Sequence, residues 1–164
     1  RWINEPNTSS FLLNRGPISE AAEAAWFDRM SKPRGWDLGL AVCLHDGTLI
    51  GTMGLHEVDM RNRHGTTATV IGHPDYRGTG HGTDAKMLLL EYAFLELGLH
   101  KVYSRVIAYN KRSLRYATRC GYQEEGRLRE HVYWDGCWHD EIVLAVFATN
   151  WRQLWKDYQQ DLPT

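Results

Sequence analysis

The sequence predicts a single α+β domain, and three stretches carry that reading. Residues 76–83 (Tyr-Arg-Gly-Thr-Gly-His-Gly-Thr) form a glycine-dense turn between a β-rich run, Thr66 to Pro74, and an amphipathic helix reaching about Leu97. Residues 101–109 alternate in a β-favouring pattern and lead to Asn110, a good helix N-cap, with Gly121 a good terminator eleven residues on. Asp135-Gly136 marks a tight turn between two further strand-like runs. The 164 residues suffice for one packed core, and no repeat or linker divides them, so 1–164 is read as one domain.

The elements follow in order. Trp2 to Pro6 reads as the tail of a helix, followed by a polar loop. Ser19 caps a helix from Glu20 to Ser31, in which Ala22, Ala25, Trp26 and Met30 share one face and are expected to be buried. Pro33-Arg34-Gly35 stops it. A strand begins near Trp36 and Asp37 and runs through Leu44, Asp46-Gly47 turns the chain, and a second strand spans Thr48 to Asp59. Arg61-Asn62-Arg63 forms the next turn, and residues 66–72 the next strand. The helix over 80–97 is expected to bury Met87, Leu88, Ala93 and Leu95, and Gly98 ends it. Trp134 and Trp138 flank the Asp135-Gly136 turn. They are read either as cross-strand packing or as walls of a site for a protein N-terminus or a cationic small molecule.

Composition narrows the function classes. A hydrophobic content of 43% with 24% charged residues fits neither a disordered chain nor a membrane protein, and no apolar run approaches the length of a bilayer span. The net charge of −1 argues against broad nucleic-acid binding. Cys43, Cys120 and Cys137 form no CxxC pair and suit free thiols in a reducing cytoplasm. His131 and His139 can meet across the 131–142 hairpin, but no further ligand accompanies them, so no metal site is expected.

The glycine turn is the strongest pointer to chemistry. A strand-to-helix turn rich in glycine bares backbone N–H groups at the positive end of a helix dipole, which suits a phosphate or pyrophosphate. No Gly-Lys-Ser/Thr ends the turn, as a Walker loop requires. Gly78-x-Gly80-x-Gly82 is one residue too tight for a dinucleotide fingerprint, and no acidic residue ends a second strand at the needed offset. What remains is Arg77-x-x-Gly80-x-Gly82, which resembles the pyrophosphate loop of the GNAT superfamily of acyl-CoA-dependent N-acetyltransferases. Asn110…Ser113…Gly121-Tyr122 is similar to that superfamily's second signature. Glu125-Gly126-Arg127-Leu128-Arg129 and Trp138-His139-Asp140-Glu141-Ile142 resemble its branch of ribosomal-protein N-terminal (Rim-type) acetyltransferases. The likeness covers roughly residues 1–150.

The resemblance implies a mixed, mostly antiparallel sheet flanked by helices, with two central parallel strands splayed apart to admit pantetheine. The family's first strand is missing ahead of residues 20–31, which implies an N-terminally trimmed chain and an exposed sheet edge. The splayed strands would be 66–72 and 101–109. Ile71 and Gly72 would bind the pantetheine amides. The Val70 N–H would polarise the thioester carbonyl, an interaction worth roughly 3 kcal/mol. Arg77, Gly78, Thr79, Gly80, His81, Gly82 and Thr83 would hold the pyrophosphate, and Asn110 and Ser113 the sulfur end. Acetyl-CoA is the implied cosubstrate, without a metal. The acceptor would be a primary amine on a protein N-terminus or a small molecule, with no nucleic-acid or membrane partner, and a homodimer is allowed.

The residue pattern departs from the family at the acid and the base. The usual tyrosine acid falls at Ala117, and Tyr116 lies one residue earlier, about 100° around the helix. Ser113 could meet the thiolate instead. Neither splayed strand carries a glutamate, so either water relays the proton to solvent or the base is sought among His56, Glu57, Asp59, His139, Asp140 and Glu141, with Glu57 first. Two other readings stay open: a non-catalytic acyl-CoA-binding module and a nucleotide-binding regulator.

Overall fold

A computed structural model describes residues 2–13, 16–32 and 35–160. Its centre is a six-stranded sheet in the order β1-β2-β3-β4-β6-β5. The strands are β1 (Leu38–Cys43), β2 (Leu49–Asp59), β3 (His64–Ile71), β4 (Lys101–Ile107), β5 (Gln123–Trp134) and β6 (Cys137–Phe147). All neighbours pair antiparallel except β3 and β4, which are parallel. Among the described residues no strand precedes the short helix α1 (Pro6–Ser9) or α2 (Glu20–Met30), so β1 is an edge. The helices α3 (His81–Glu91), α4 (Lys111–Arg119) and α5 (Ala148–Gln160) complete the fold, which is thus the mixed, helix-flanked sheet expected.

Strand alternation sorts the side chains. Thr66, Ala68 and Val70 of β3 share a face with Tyr103, Arg105 and Ile107 of β4 and with Glu141 and Val143 of β6. Thr67, Thr69 and Ile71 share the other face with Val102, Val106, Ile142 and Leu144. The second face is the main core. Met87, Leu90, Ala93 and Phe94 cover it, and Trp151 and Trp155 of α5 stack at 5.2 Å between ring centroids. Burying such rings removes a large apolar area from water.

Several expectations change on contact with the fold. α2 buries none of its residues: Trp26 is 38% exposed, and Met30 alone is half-buried, against Gly39. Spacing shows which side chains share a face but not whether anything lies opposite. Pro33 and Arg34, expected to stop this helix, lie outside the described residues; α2 ends at Met30 with Ser31 as its C-cap. The helical run over 80–97 is α3 followed by one π turn, Tyr92–Glu96, closed by Leu97 N–H to Tyr92 O at 3.0 Å. Leu88 and Leu95 face outward at 58% and 48% exposure, whereas Met87 and Ala93 are buried as expected. Trp2 to Pro6 holds a 3₁₀ turn, Trp2–Asn4, and the start of α1. Trp134 and Trp138 fall on opposite faces; Trp138 packs on Tyr133 at 5.0 Å. Helix α5 escaped sequence reading, although Trp151, Leu154, Trp155 and Tyr158 keep helical spacing.

Candidate active site

The site begins where a ladder ends. β3 and β4 pair at His64/Lys101, Gly65/Val102 and Thr66/Tyr103, and no further. Both strands continue: β3 stays on β2 as far as Ile71, and β4 stays on β6 as far as Ile107. Each strand is held by its outer neighbour while the two diverge, so a cleft opens between them.

Hydrogen-bond parity decides which amides line that cleft. The Gly72 N–H bonds Ile50 O on β2 at 2.9 Å. Successive residues point to alternate sides, so Val70 and Ala68 also face β2, while Thr67, Thr69 and Ile71 face the cleft. The Ser104 hydroxyl donating to Thr67 O at 3.1 Å fits this parity. Two expectations are therefore corrected: neither the Val70 N–H nor the Gly72 N–H points into the gap. The cleft-facing amides are those of Thr69 and Ile71. Gly72 has another duty, because a Cβ there would sit 2.0 Å from the Trp2 ring.

The glycine turn closes the open end. Gly78 and Gly80 have φ of +80° and +104°, which L-residues rarely adopt. Gly80 caps α3, accepting from Thr83 N–H at 2.7 Å and Asp84 N–H at 3.1 Å. The His81 and Gly82 N–H groups come before Thr83, the first to bond back to Gly80 O, so they have no partner within the helix. The Thr79 hydroxyl donates to Tyr76 O and accepts from His81 Nδ1, each at 2.8 Å. Arg77 turns back from the loop: Nε donates to Ile71 O at 2.9 Å, and Nη2 reaches Thr8 Oγ1 at 2.8 Å and Gly72 O. Its guanidinium clamps the strand end instead of reaching outward for phosphate.

One wall of the cleft is dry and rich in hydroxyls. Asn110 Oδ1 caps α4 by accepting from Ser113 N–H at 3.0 Å. That cap starts the helix which carries Tyr116, whose phenol donates to Thr69 Oγ1 at 3.1 Å. The one-residue offset from the family position thus still delivers a phenol to the cleft. Tyr122 meets Thr67 Oγ1 at 2.9 Å. Behind the two rings lies Lys86 Nζ, 5.9 Å from the Tyr116 centroid and 5.8 Å from that of Tyr122. Desolvation lowers the Lys86 pKa to about 7, raises the adjacent Cys120 thiol to about 12, and holds Tyr116 well above its usual value. Sequence gave no hint of Lys86: a lysine on a helix is ordinarily a solvated one.

The other wall carries the charges. Glu57 sits exposed on a β2 bulge at φ +51°, and Tyr103 donates to its Oε2 at 2.9 Å. Glu141 is 1% exposed, with Oε2 3.6 Å from His131 Nε2 and 3.9 Å from Arg105 Nη1. Asp59 is spent on the following turn, accepting from the Arg61 and Asn62 N–H groups, each at 2.8 Å. Asp140 is held by Arg127 at 3.1 Å and by the Glu130 N–H at 3.0 Å. These hydrogen bonds lower both aspartate pKa values. His56 pairs with Thr66 and folds over Gly54. His139 packs edge-on to Tyr109 at 4.7 Å, while His131 Nε2 lies 3.6 Å from Glu141. No cluster of metal-ligating groups occurs among the described residues.

Residues 1–123 match the family described as Acetyltransferase (GNAT) domain. The chain belongs to the GNAT acetyltransferase family. Several homologues are named N-acetyltransferases, among them spermidine N(1)-acetyltransferases. A Bacillus subtilis protein, YdaF, named provisionally as a ribosomal N-acetyltransferase, is 32% identical over 127 residues, 77% of this chain and 67% of that protein. The Vibrio cholerae spermidine N(1)-acetyltransferase is 32% identical over 103 residues, 63% of this chain and 59% of that protein. The chain therefore spans between about half and two thirds of such relatives. A crystal structure of Vibrio cholerae spermidine N-acetyltransferase with CoA and spermine superposes with a TM-score of 0.82 at 23% identity. That match covers 91% of this chain and 87% of the other, and it shows the shared GNAT fold. Among the described residues no helix is long and apolar enough to cross a membrane.

Proposed function

We propose that this chain acetylates a primary amine, on a protein N-terminus or a small molecule such as a polyamine, by direct attack on acetyl-CoA bound between β3 and β4. The observation that carries this reading is the parallel ladder stopping at Thr66/Tyr103 while both strands run on. A strand edge of that kind accepts an extended amide chain as a substitute strand. The Ile71 amide and the β4 edge meet the pantetheine, and the Thr69 N–H replaces Val70 as donor to the thioester carbonyl. The backbone N–H groups of 78–83 hold the pyrophosphate, while Arg77 keeps the loop in place. Asn110, with Oδ1 committed to its cap, presents Nδ2 towards the sulfur, and Ser113 stands beside it on the first turn of α4.

The amine nitrogen attacks from the charged wall, and Tyr116 supplies the proton to the departing thiolate from the dry wall. Glu57 lies on the charged wall at the closed end of the cleft. Calorimetry with acetyl-CoA, followed by thiol release with a panel of peptides, spermidine and spermine, tests the reading. Saturable binding with turnover on a panel member is expected. Binding without turnover on any amine would instead support an acyl-CoA-binding module.

A further inference from the structure

Resting on that reading, we infer that Glu141 is the group that takes the proton from the acceptor ammonium. Glu141 is one of the few buried charged side chains of the protein, and its Oε1 meets no hydrogen-bond partner. A buried, unmatched carboxylate oxygen is costly, and such a group is retained where a ligand completes it. Its place in the sheet says which ligand. Glu141 is paired with Ile107, whose backbone edges the cleft, and both side chains stand on the charged face. It therefore lies one strand, about 5 Å, from β4, level with the open part of the gap where Thr69 and Ile71 face β4.

The groups facing it explain why Glu141 outranks the other carboxylates. From β4 comes Arg105, from β5 comes His131, and both side chains are half exposed, at 52% and 53%. Solvent reaches the roof of the carboxylate while the carboxylate stays desolvated. Beside that roof a cleft of about 660 Å³, lined by Leu128, His131 and Asp140 among others, opens on the β5 bulge. Asp140 points its oxygens at Arg127 and the Glu130 N–H, and Glu57 has Oε2 bound by Tyr103. Glu141 alone on this wall combines burial with an unclaimed oxygen.

The proton passes over one bridging water, because Glu141 is one strand removed from the thioester. The ammonium gives its first proton to Glu141 by this route. The neutral nitrogen then forms its bond to the acetyl carbon, the carbon–sulfur bond breaks, Tyr116 protonates the leaving thiolate, and the second nitrogen-bound proton passes through solvent to restore Tyr116. Glu141 returns its proton to solvent.

Glu141→Gln keeps the shape and removes the acceptor. It is expected to lower kcat/KM for the amine by at least a hundredfold at neutral pH while acetyl-CoA affinity by calorimetry stays within threefold. Its activity should recover as pH rises and free amine becomes available in solution, a response that a packing role would not give. Glu141→Asp should retain part of the activity. Wild-type turnover with an undiminished Glu141→Gln rate overturns the inference and leaves the acetyltransferase reading intact. A wild-type chain that fails to bind acetyl-CoA overturns that reading instead. Should Glu141→Gln not fold, Glu141→Asp decides: an unchanged kcat/KM counts against the inference, and a tenfold fall with acetyl-CoA affinity kept counts for it.

Discussion

The two walls of the β3–β4 cleft are opposites. Towards α3 and α4 the gap is lined by Tyr116, Tyr122, Thr67 and Thr69, backed by the buried Lys86. Towards the opposite face it meets Tyr103, Arg105, Glu57 and Glu141. The first wall offers proton donors in a dry setting, and the second offers proton acceptors near solvent. A transfer that needs an acid for a thiolate and a base for an ammonium gains from keeping the two apart, because adjacent groups would neutralise each other. Strand parity makes that separation: consecutive residues of one strand serve opposite walls, and on the proposed mechanism this sets the direction of proton flow.

The comparison can be broken at the entrance. Gly80→Asp forces an L-residue to φ +104° and places a carboxylate where phosphate is to sit. The strain is about 1–2 kcal/mol and the repulsion adds to it, so acetyl-CoA binding should weaken on the order of a thousandfold by calorimetry. Unchanged binding would remove the cleft from the mechanism altogether.

A sharper cut separates the walls. Tyr116→Phe should reduce kcat by about a hundredfold with KM for acetyl-CoA little changed, measured by thiol release. The loss should persist at high pH, whereas loss of the base on the other wall is relieved there. Equal pH responses for the two variants would merge the walls into one.

The dryness of the first wall has its own signature. Lys86 has a folded pKa of about 7 against 10.5 when exposed, so between these values the unfolded chain binds more protons. Stability should therefore rise with pH above about 7, by up to about 1.4 kcal/mol per unit. Cys120 acts in the reverse sense above its exposed value of 9, since burial keeps it protonated to about 12. The clean window is pH 7 to 9, followed by urea unfolding, and Lys86→Met should flatten the slope there. The smallest effect is Tyr122→Phe, which deletes a single hydroxyl contact with Thr67 and should cost about 1 kcal/mol in the same assay.

Some of this was legible in the chain. Glycines at 78 and 80 announce positive φ, Asn110 announces a cap, and Asp135-Gly136 announces a turn, because each is a local backbone requirement that one residue type meets. Val70 was misassigned by a single step. The run 66–72 has the right strand but no local mark of which amides face β2, and parity became visible only when Gly72 was found bonded to Ile50. Tyr116 was discounted on helical geometry alone, although Thr69 lies where its phenol can reach. The α2 stripe failed for the converse reason: the pattern is present, but among the described residues only Met30 of it is covered, against Gly39.

By itself the sequence determined the order of strands and helices as far as β6, the glycine-built turn before α3 and the superfamily, since these depend on neighbours within about ten positions along the chain. Only the tertiary structure decided where the β3–β4 ladder stops, which amides line the gap, that Lys86 is buried behind two tyrosines, and that Glu141 keeps an unmatched oxygen near the cleft. Those properties are relations between residues tens of positions apart. Burial and hydrogen-bond pairing acquire values only when the strands and helices that carry them are packed together.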